Sequence, residues 1–387
     1  MNFPLFSILI AGCFSFGLLE KVSCQSLRIH MPVPGKSIPQ VDEVVDSFMA
    51  RYQVPGMSVA ITRNGKLVYA SGYGTADKAT GEKVSPASLF RIASVSKSIT
   101  ATAILKLVEA KKLSLDDNVF GPGAILGTSY GTRPYSNWLK AITIRELLQH
   151  TGGGWSNNGE DPMFSNPGMT APALIAWTLD HISLKYAPGT VYAYSNFGYC
   201  VLGRVIEKVT GLSYEQYVKS AILAPLGITT MQTGGNTMAD RKKKEVKYYG
   251  QHGENPYDFD VARMDAHGGW IASATDLARF LAGVDGFPTR PDVLSKASIM
   301  AMTTPSTANP NYALGWLVNV YHNWWHSGSL PGTASEIVRA GNGFSWVLLC
   351  NTRAEEGFFN DLDGLIWKAV NDKTTRWPDV DLFQAVP

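Results

Sequence analysis

The order of predicted elements constrains the fold of this 387-residue chain more than any other sequence feature. Strand patterns lie towards both ends, whereas residues 93–235 have mainly the periodicity of helices joined by long loops. Near the start, two apolar runs flank the hairpin signal Arg63-Asn64-Gly65-Lys66. This order predicts an α/β (α+β) fold in which both ends of the chain build one sheet around a helical insertion. A cleft between the two parts is then the expected place for a binding site.

The predicted domain extends over about residues 40–372, with a sheet part at about 40–92 and 245–372 and a helical part at about 93–235. Apolar positions at helical spacing predict helices over residues 41–51, 144–150, 171–181, 197–210, 214–223 and 356–370. Short apolar or alternating runs predict strands over residues 57–62, 67–71, 246–249, 312–320, 335–339 and 346–350.

Residues 1–24 differ from the rest of the chain. The stretch from Phe3 to Leu19 is almost wholly apolar and uncharged, and small residues follow it. This pattern is typical of a secretory signal peptide cut near Cys24 or Ser26, and it predicts a secreted, extracellular protein. The apolar run is marginal for a membrane span, so no membrane partner is expected. The net charge of +2 gives no basic surface for nucleic acid.

The first chemical motif is Ser94-x-x-Lys97, which stands at the start of a predicted helix. In the first helical turn, Ser94 and Lys97 would lie on one face. A serine hydroxyl needs a neighbouring base, and a lysine amine can serve if burial or a nearby cation lowers its pKa. The free N–H groups of the helix N-terminus could also bind an oxyanion. Taken alone, however, this spacing is more often an ordinary helix start.

The second motif is Tyr194-Ser195-Asn196, which opens another predicted helix. The Tyr194 oxygen could act as a base or proton relay to the serine hydroxyl, and Asn196 could hold a substrate amide. The alternative is a loop tyrosine followed by a helix N-cap. The same three residue types recur from Tyr135, but no apolar helix follows them, so we do not assign them to the site.

The third motif is His326-Ser327-Gly328-Ser329, on a predicted edge strand. His326 and Ser327 could bind an anionic or polar group of a substrate, and Gly328 would let it approach the backbone. The Ser329 N–H could be the second oxyanion donor, together with the N–H of the nucleophile. His322 and His326 have the spacing of metal ligands on a helix, but this segment is a predicted strand without a carboxylate ligand. We therefore predict no metal, and no cofactor.

The chain resembles the serine β-lactamase and penicillin-binding-protein family in three motifs that follow the family's order, Ser94-x-x-Lys97, Tyr194-x-Asn196 and His326-x-Gly328. The second motif, with its tyrosine, is similar to that of the class C β-lactamase-like branch. This branch includes D-Ala-D-Ala carboxypeptidases, D-amino-acid peptidases and carboxylesterases. The resemblance covers about residues 40–370 and implies a β-lactamase/transpeptidase-like fold, with an antiparallel sheet flanked by helices and an all-helical insertion domain.

The resemblance also implies a function. The protein would be a secreted serine hydrolase acting through an acyl-enzyme on ester or amide substrates, such as small molecules, D-amino-acid peptides or β-lactam-like compounds. Ser94 would be acylated, and Lys97 and Tyr194 would share the general-base and general-acid work. Asn196 and His326 would orient the substrate. His326 stands where classical β-lactamases have lysine, and family members with histidine there are more often esterases or peptidases, because histidine is only partly charged near neutral pH.

Two other functions stay open at this stage. Secreted animal relatives of this family occur in mollusc shell matrix (the gigasin type), so the chain could be an extracellular matrix component that keeps the hydrolase fold. The intact motifs and the absence of acidic or repetitive tracts argue against this alternative. The same nucleophile could also transfer its acyl group to an alcohol or an amine instead of water.

Overall fold

The computed structural model describes residues 31–32, 37–159, 161–251 and 253–384. The predicted signal peptide at 1–24 lies outside the described residues and stays a prediction. Among the residues that are described, no helix has the length and apolarity needed to cross a membrane.

The described strands are short to medium in length, and in chain order they are β1 Met31–Pro32, β2 Gly56–Arg63, β3 Lys66–Asp77, β4 Glu82–Lys83, β5 Phe90–Arg91, β6 Gln232–Thr233, β7 Trp270–Ala272, β8 Leu317–Val318, β9 Trp324–Leu330, β10 Thr333–Arg339 and β11 Phe344–Cys350. The described α-helices are α1 Pro39–Tyr52, α2 Ser96–Glu109, α3 Asn137–Ala141, α4 Ile144–Leu148, α5 Pro162–Ser165, α6 Ala171–His181, α7 Asn196–Thr210, α8 Tyr214–Val218, α9 Val261–Gly268, α10 Ala274–Ala282, α11 Lys296–Met302, α12 Phe358–Asp363 and α13 Leu365–Asn371.

Within this part of the chain, eight strands form one antiparallel sheet in the order β1-β3-β2-β11-β10-β9-β8, with β4 paired to β3. The strands β2 and β11 are neighbours, and Ala60 lies opposite Val347. Because β2 comes from the start of the chain and β11 from its end, both ends build the sheet as predicted. Side chains of β11 alternate between two apolar cores, with Val347 and Leu349 in one and Trp346 and Leu348 in the other.

The two cores place helices on both faces of the sheet. One core packs α1, α12 and α13 against one face, with Phe48 of α1 in contact with Phe358 of α12. The larger core joins the other face to α10 and to the helical part of the chain. In that part α2 is central, since it packs against α7, α8, α9 and α11. The prediction of an antiparallel sheet flanked by helices is confirmed.

The predicted strand at residues 246–249 is wrong. Backbone N–H groups of Val246, Lys247 and Tyr249 donate to carbonyl groups in three different segments of the chain. A strand in a sheet pairs in register with its neighbour, and here the hydrogen bonds are divided among separate neighbours. Apolar and β-branched residues in this stretch therefore fill a gap between segments instead of extending a sheet.

Other predicted boundaries also differ, and β3 extends to Asp77 where the prediction stopped at residue 71. In residues 312–320 only β8 is a strand, because the chain turns at Gly315, which has a φ of 77°. The final helix is divided in two at Gly364. The predicted helix at 214–223 is α-helical only as far as Val218 and continues as a π-helical turn.

Candidate active site

Ser94 lies in a single 3₁₀ turn, Ala93–Val95, which joins β5 to α2. The sequence placed Ser94 in the first turn of the helix, and the structure places it just before that helix. Ala93 has a φ of 45°, a left-handed conformation that costs a residue with a Cβ atom about 1–3 kcal/mol and persists only where packing imposes it. The strand β9 provides part of that packing, since a Cβ atom on Gly328 would lie 3.0 Å from the Ser94 nitrogen.

Lys97 is fully buried beside this serine. Its Nζ atom lies 3.0 Å from Ser94 Oγ, 2.7 Å from Asn196 Oδ1 and 2.8 Å from the carbonyl oxygen of His267. Burial lowers the pKa of Lys97 to about 7, while the negative charge of Asp161 acts in the opposite direction. Near neutral pH a substantial fraction of this side chain is therefore a neutral amine.

The three hydrogen-bond partners of Lys97 Nζ determine the direction of its N–H groups and its lone pair. The amide oxygen of Asn196 and the carbonyl oxygen of His267 can only accept hydrogen bonds, so both N–H groups of the amine are directed to them. The amine lone pair then points to the Ser94 hydroxyl, which can donate its proton. This geometry is suited to a general base acting on a serine nucleophile.

Tyr194 stands on the other side of the pair. Its hydroxyl forms a hydrogen bond with Ser94, and Lys97 Nζ lies 4.9 Å from the centre of its ring. Burial raises the pKa of Tyr194, so the phenol is neutral at physiological pH. Of the two roles considered from the sequence, a proton relay fits this state better than a phenolate base.

Asn196 is the first residue of α7, and Ser195 caps that helix by accepting a hydrogen bond from the Gly198 N–H at 3.1 Å. The cap turns the Asn196 side chain towards Lys97. Its Nδ2 group donates to Asn157 Oδ1 at 3.0 Å. The Asn196 side chain is thus held by both its oxygen and its nitrogen, and Ser195 is the N-cap of α7.

His326 does not have the position that the sequence suggested. Its side chain is buried, with Nδ1 2.7 Å from the Ser327 carbonyl oxygen and Nε2 3.2 Å from the Tyr312 hydroxyl. Burial lowers the pKa of His326 to about 3, so the ring is neutral. Because both ring nitrogens are used within the protein, His326 supports the wall of the site and offers no charge to a substrate.

The remaining residues of the third motif divide between two faces of β9. His326 and Gly328 alternate with Ser327 and Ser329, so the Ser327 side chain points away from Ser94. Ser329 lines the cleft, although its Oγ accepts a hydrogen bond from Arg353 at 2.8 Å.

The cleft at Ser94 is narrow, with a volume of about 70 Å³. Apolar side chains of Phe164, Met264 and Leu330 line it beside Ser94 and Tyr194. The surroundings of the serine are therefore mainly apolar on this side.

Several residues of the site were not found from the sequence. They are Asn157, Asp161, the carbonyl group of His267, and Tyr312. The Asp161-Pro162 pair has the pattern of a helix start, which could have located the turn but not its contact with α7. Tyr312 has no sequence signal that separates a site residue from a core residue. His267 stands before Gly268 and Gly269 and was interpreted as structural, and the sequence does not show that its backbone carbonyl contacts Lys97.

A nucleophilic serine, a buried lysine and a neutral tyrosine at the boundary of a sheet and a helical part define a serine hydrolase site. A sequence profile of the Beta-lactamase family matches residues 41–371. The chain therefore belongs to the beta-lactamase family, as the three motifs predicted.

Individual relatives agree with this assignment. Penicillin-binding protein 4 of Amycolatopsis lactamdurans is 28% identical over 344 residues, covering 83% of this chain and 87% of that protein. Protein flp of Staphylococcus aureus strain N315 is 28% identical over 327 residues, covering 82% of this chain. The match spans only 63% of the length of protein flp.

Solved structures give the same fold. An octameric penicillin-binding protein homologue from Pyrococcus abyssi has a TM-score of 0.67 and 28% identity, covering 81% of this chain and 73% of that one. A D-amino acid amidase from Ochrobactrum anthropi SV3 has a TM-score of 0.68 and 24% identity, covering 86% of this chain and 98% of that one. At that identity the second likeness shows the fold alone.

Proposed function

We propose that this protein is a secreted hydrolase that cleaves esters or amides, including D-amino-acid peptides, through an acyl-enzyme at Ser94. The observation that carries the proposal is the 3.0 Å contact between Ser94 Oγ and a lysine whose pKa is lowered to about 7. Family membership and the penicillin-binding relatives support the reaction class.

In the acylation step, Ser94 Oγ forms a bond to the substrate carbonyl carbon and gives its proton to Lys97 Nζ. The carbonyl oxygen becomes an oxyanion, for which the N–H groups of Ser94 and Ser329 are the proposed donors. The intermediate then expels the alcohol or amine, which takes a proton that passes from Lys97 through Tyr194. Water attacks the acyl group in the second step, releasing the acid and returning the proton to Ser94.

The substrate class follows from the charges around the cleft. His326 is neutral and turned inwards, so it offers no cation to the carboxylate of a β-lactam. The cleft of about 70 Å³ is bordered by apolar side chains. The neutral His326 and the apolar lining favour an uncharged acyl group next to the serine over a penicillin.

The test is the intact mass of the full protein after exposure to a fluorophosphonate, a short-chain nitrophenyl ester or a penicillin. We expect a covalent adduct at Ser94 with the fluorophosphonate and the ester, and little with the penicillin. Ser94→Ala should abolish it. Ser220→Ala, which changes an exposed serine that does not line the cleft, is the matched control and should still be labelled.

Absence of any adduct would contradict the proposal and favour the matrix component. An adduct with penicillin as fast as with the ester would overturn the substrate class. Product analysis with added alcohols and amines separates hydrolysis from acyl transfer. The unmodified mass of protein collected from an expressing culture tests secretion, because the medium should contain a chain that begins near Ser26.

A further inference from the structure

Asp161 is a buried carboxylate that joins two helices of the site. Its side chain is only 5% exposed. Its Oδ1 accepts a hydrogen bond from the N–H of Met163 at 3.0 Å and thereby caps α5. Its Oδ2 accepts a hydrogen bond from the N–H of Asn196 at 2.6 Å, and the N–H of Phe197 also donates to this carboxylate. One carboxylate therefore binds the N-termini of both α5 and α7.

The contact with α7 leads directly to the catalytic lysine. Asn196, whose backbone Asp161 holds, is the residue whose Oδ1 accepts the hydrogen bond from Lys97 Nζ at 2.7 Å. The direct hydrogen-bond partners of Lys97 are all neutral groups. Asp161 is the charge that acts on this ammonium, and the attraction is strengthened by burial of both side chains. Burial also raises the pKa of Asp161 to about 6, so its carboxylate is mostly ionised at neutral pH and becomes protonated on the acid side of the Lys97 titration.

We propose that Asp161 is the positioning residue of the Ser94–Lys97 pair, an inference that rests on the proposed function. Its carboxylate fixes the start of α7, so that Asn196 holds the lysine amine against the serine hydroxyl. Its negative charge also stabilises the ammonium that forms when Ser94 loses its proton to Lys97. It does not touch the substrate, and it acts through Asn196 and through the field at Lys97.

The two effects give a signature that a structural role alone does not produce. Without the negative charge the ammonium form of Lys97 is less favoured, so the pKa of Lys97 falls further. The amine is then free at lower pH but is a weaker base. Neutralising Asp161 should therefore lower the maximum rate and at the same time move the acid limb of the pH profile to lower pH.

The experiment measures the second-order rate of Ser94 labelling by a fluorophosphonate across the acid and neutral pH range, on the full chain. Asp161→Asn and Asp161→Ser both remove the charge, and serine keeps a capping oxygen for the helix start. We expect the maximum rate to fall about 10-fold and the acid limb to move down by about one pH unit. Asp161→Glu keeps the charge and should leave the limb in place.

Asp180→Asn is the matched control. Asp180 also accepts backbone hydrogen bonds, from Thr132 and Arg133, but it is absent from the groups that act on Lys97. This variant should leave both the rate and the limb unchanged.

An unmoved limb in a folded Asp161→Asn or Asp161→Ser protein would overturn the inference, as would an equal shift in Asp180→Asn. If both neutral variants fail to fold, a shifted limb in Asp161→Glu would overturn it, and an unshifted one would support it. Labelling of Ser94 without hydrolysis of any ester or amide would sink the proposed function and leave this inference standing. If the acid limb does not move in the neutral Asp161 variants while the wild type hydrolyses esters or amides normally, the inference about Asp161 fails and the proposed function stands.

Discussion

The Nδ1 atom of His326 lies 2.7 Å from the carbonyl oxygen of Ser327, so this nitrogen carries the ring proton. The other nitrogen must then accept, and the Tyr312 hydroxyl donates to it. On the far side, His150 Nδ1 accepts the Ser195 N–H, so its Nε2–H donates to the same hydroxyl at 3.1 Å. Tyr312 thus joins two neutral histidines, and through them the second and third motifs.

Acid should destabilise the protein because this chain of hydrogen bonds needs neutral rings. The pKa of His326 is lowered to about 3, whereas an unfolded histidine titrates near about 6.5. Between these values the unfolded state binds more protons, so stability is fully present above about 6.5 and is lost as the pH falls towards about 3. The thermal unfolding midpoint should therefore decrease steadily over that window.

The matched pair for this prediction is His326→Gln against His181→Gln. Glutamine keeps an acceptor for Tyr312 but removes the donor to Ser327, so it should cost about 1–3 kcal/mol at neutral pH. It should also weaken the pH dependence, whereas the variant of the exposed His181 should keep the full slope. An unchanged slope in His326→Gln would show that His326 is not the group that titrates.

Lys97 is the base on which acylation depends. Lys97→Ala removes the amine, and Lys97→Arg replaces it with a group that stays charged. Both should slow ester hydrolysis and fluorophosphonate labelling by about 10²- to 10⁴-fold. In the wild type, activity should fall as the pH drops through about 7, because the ammonium cannot accept the serine proton. Full activity in Lys97→Arg would contradict the role of the amine.

The role of the Tyr194 hydroxyl can be tested separately from the role of its ring. Tyr194→Phe keeps the ring 4.9 Å from Lys97 Nζ but removes the hydroxyl that contacts Ser94. We expect kcat to fall about 10²-fold, with a larger fall for amides, whose leaving group needs a proton, than for activated esters. Tyr192→Phe, two residues away, is the control, and an equal loss there would point to a general disturbance of the loop.

Gly328 has no room for a side chain. A Cβ atom there would lie 2.3 Å from the Ile92 carbonyl oxygen and 2.4 Å from Ser335 Oγ, both beside the Ser94 turn. Gly328→Ala should displace that turn, reduce Ser94 labelling and lower the free energy of unfolding by about 1–3 kcal/mol. Gly168→Ala, where nothing lies within 4 Å, should change neither measurement. Normal labelling in Gly328→Ala would show that β9 can retreat without moving Ser94.

The sequence was most informative where one short segment supplies both the element and the chemistry. Ser94 and Lys97 are close because they are one helical turn apart in the chain. Ser195 and Asn196 are neighbours in sequence, and they form the N-cap and the first residue of α7. These relationships are local, so they do not depend on how the rest of the chain packs. The central strands β2, β10 and β11 were predictable for the same reason, since a short apolar run indicates a strand that is buried on both faces of a sheet.

Relationships between distant segments could not be read in this way. The periodicity of residues 246–249 indicates burial, but nothing in it shows that the neighbours belong to three separate segments. The orientation of the His326 ring depends on its hydrogen bond with Tyr312. The positioning role of Asp161 depends on the location of the first residue of α7, whose N–H donates a hydrogen bond to it. Neither Tyr312 nor Asp161 has a sequence pattern that marks it as a site residue, because only the tertiary fold brings it to the site.

The pairing of β2 with β11 affects how the protein can be made. During synthesis β2 emerges long before its neighbour β11, because most of the described strands and helices lie between them in the chain. Until then, β2 and β3 form a ribbon with an unpaired apolar edge, which is prone to association with other chains. A chain that stops before β11 would keep Ser94, Lys97, Tyr194 and the β9 residues but would lack the strand that joins β2 to β10. Folding of this protein should therefore depend on chaperones that bind exposed strands, although its composition is typical of a globular protein.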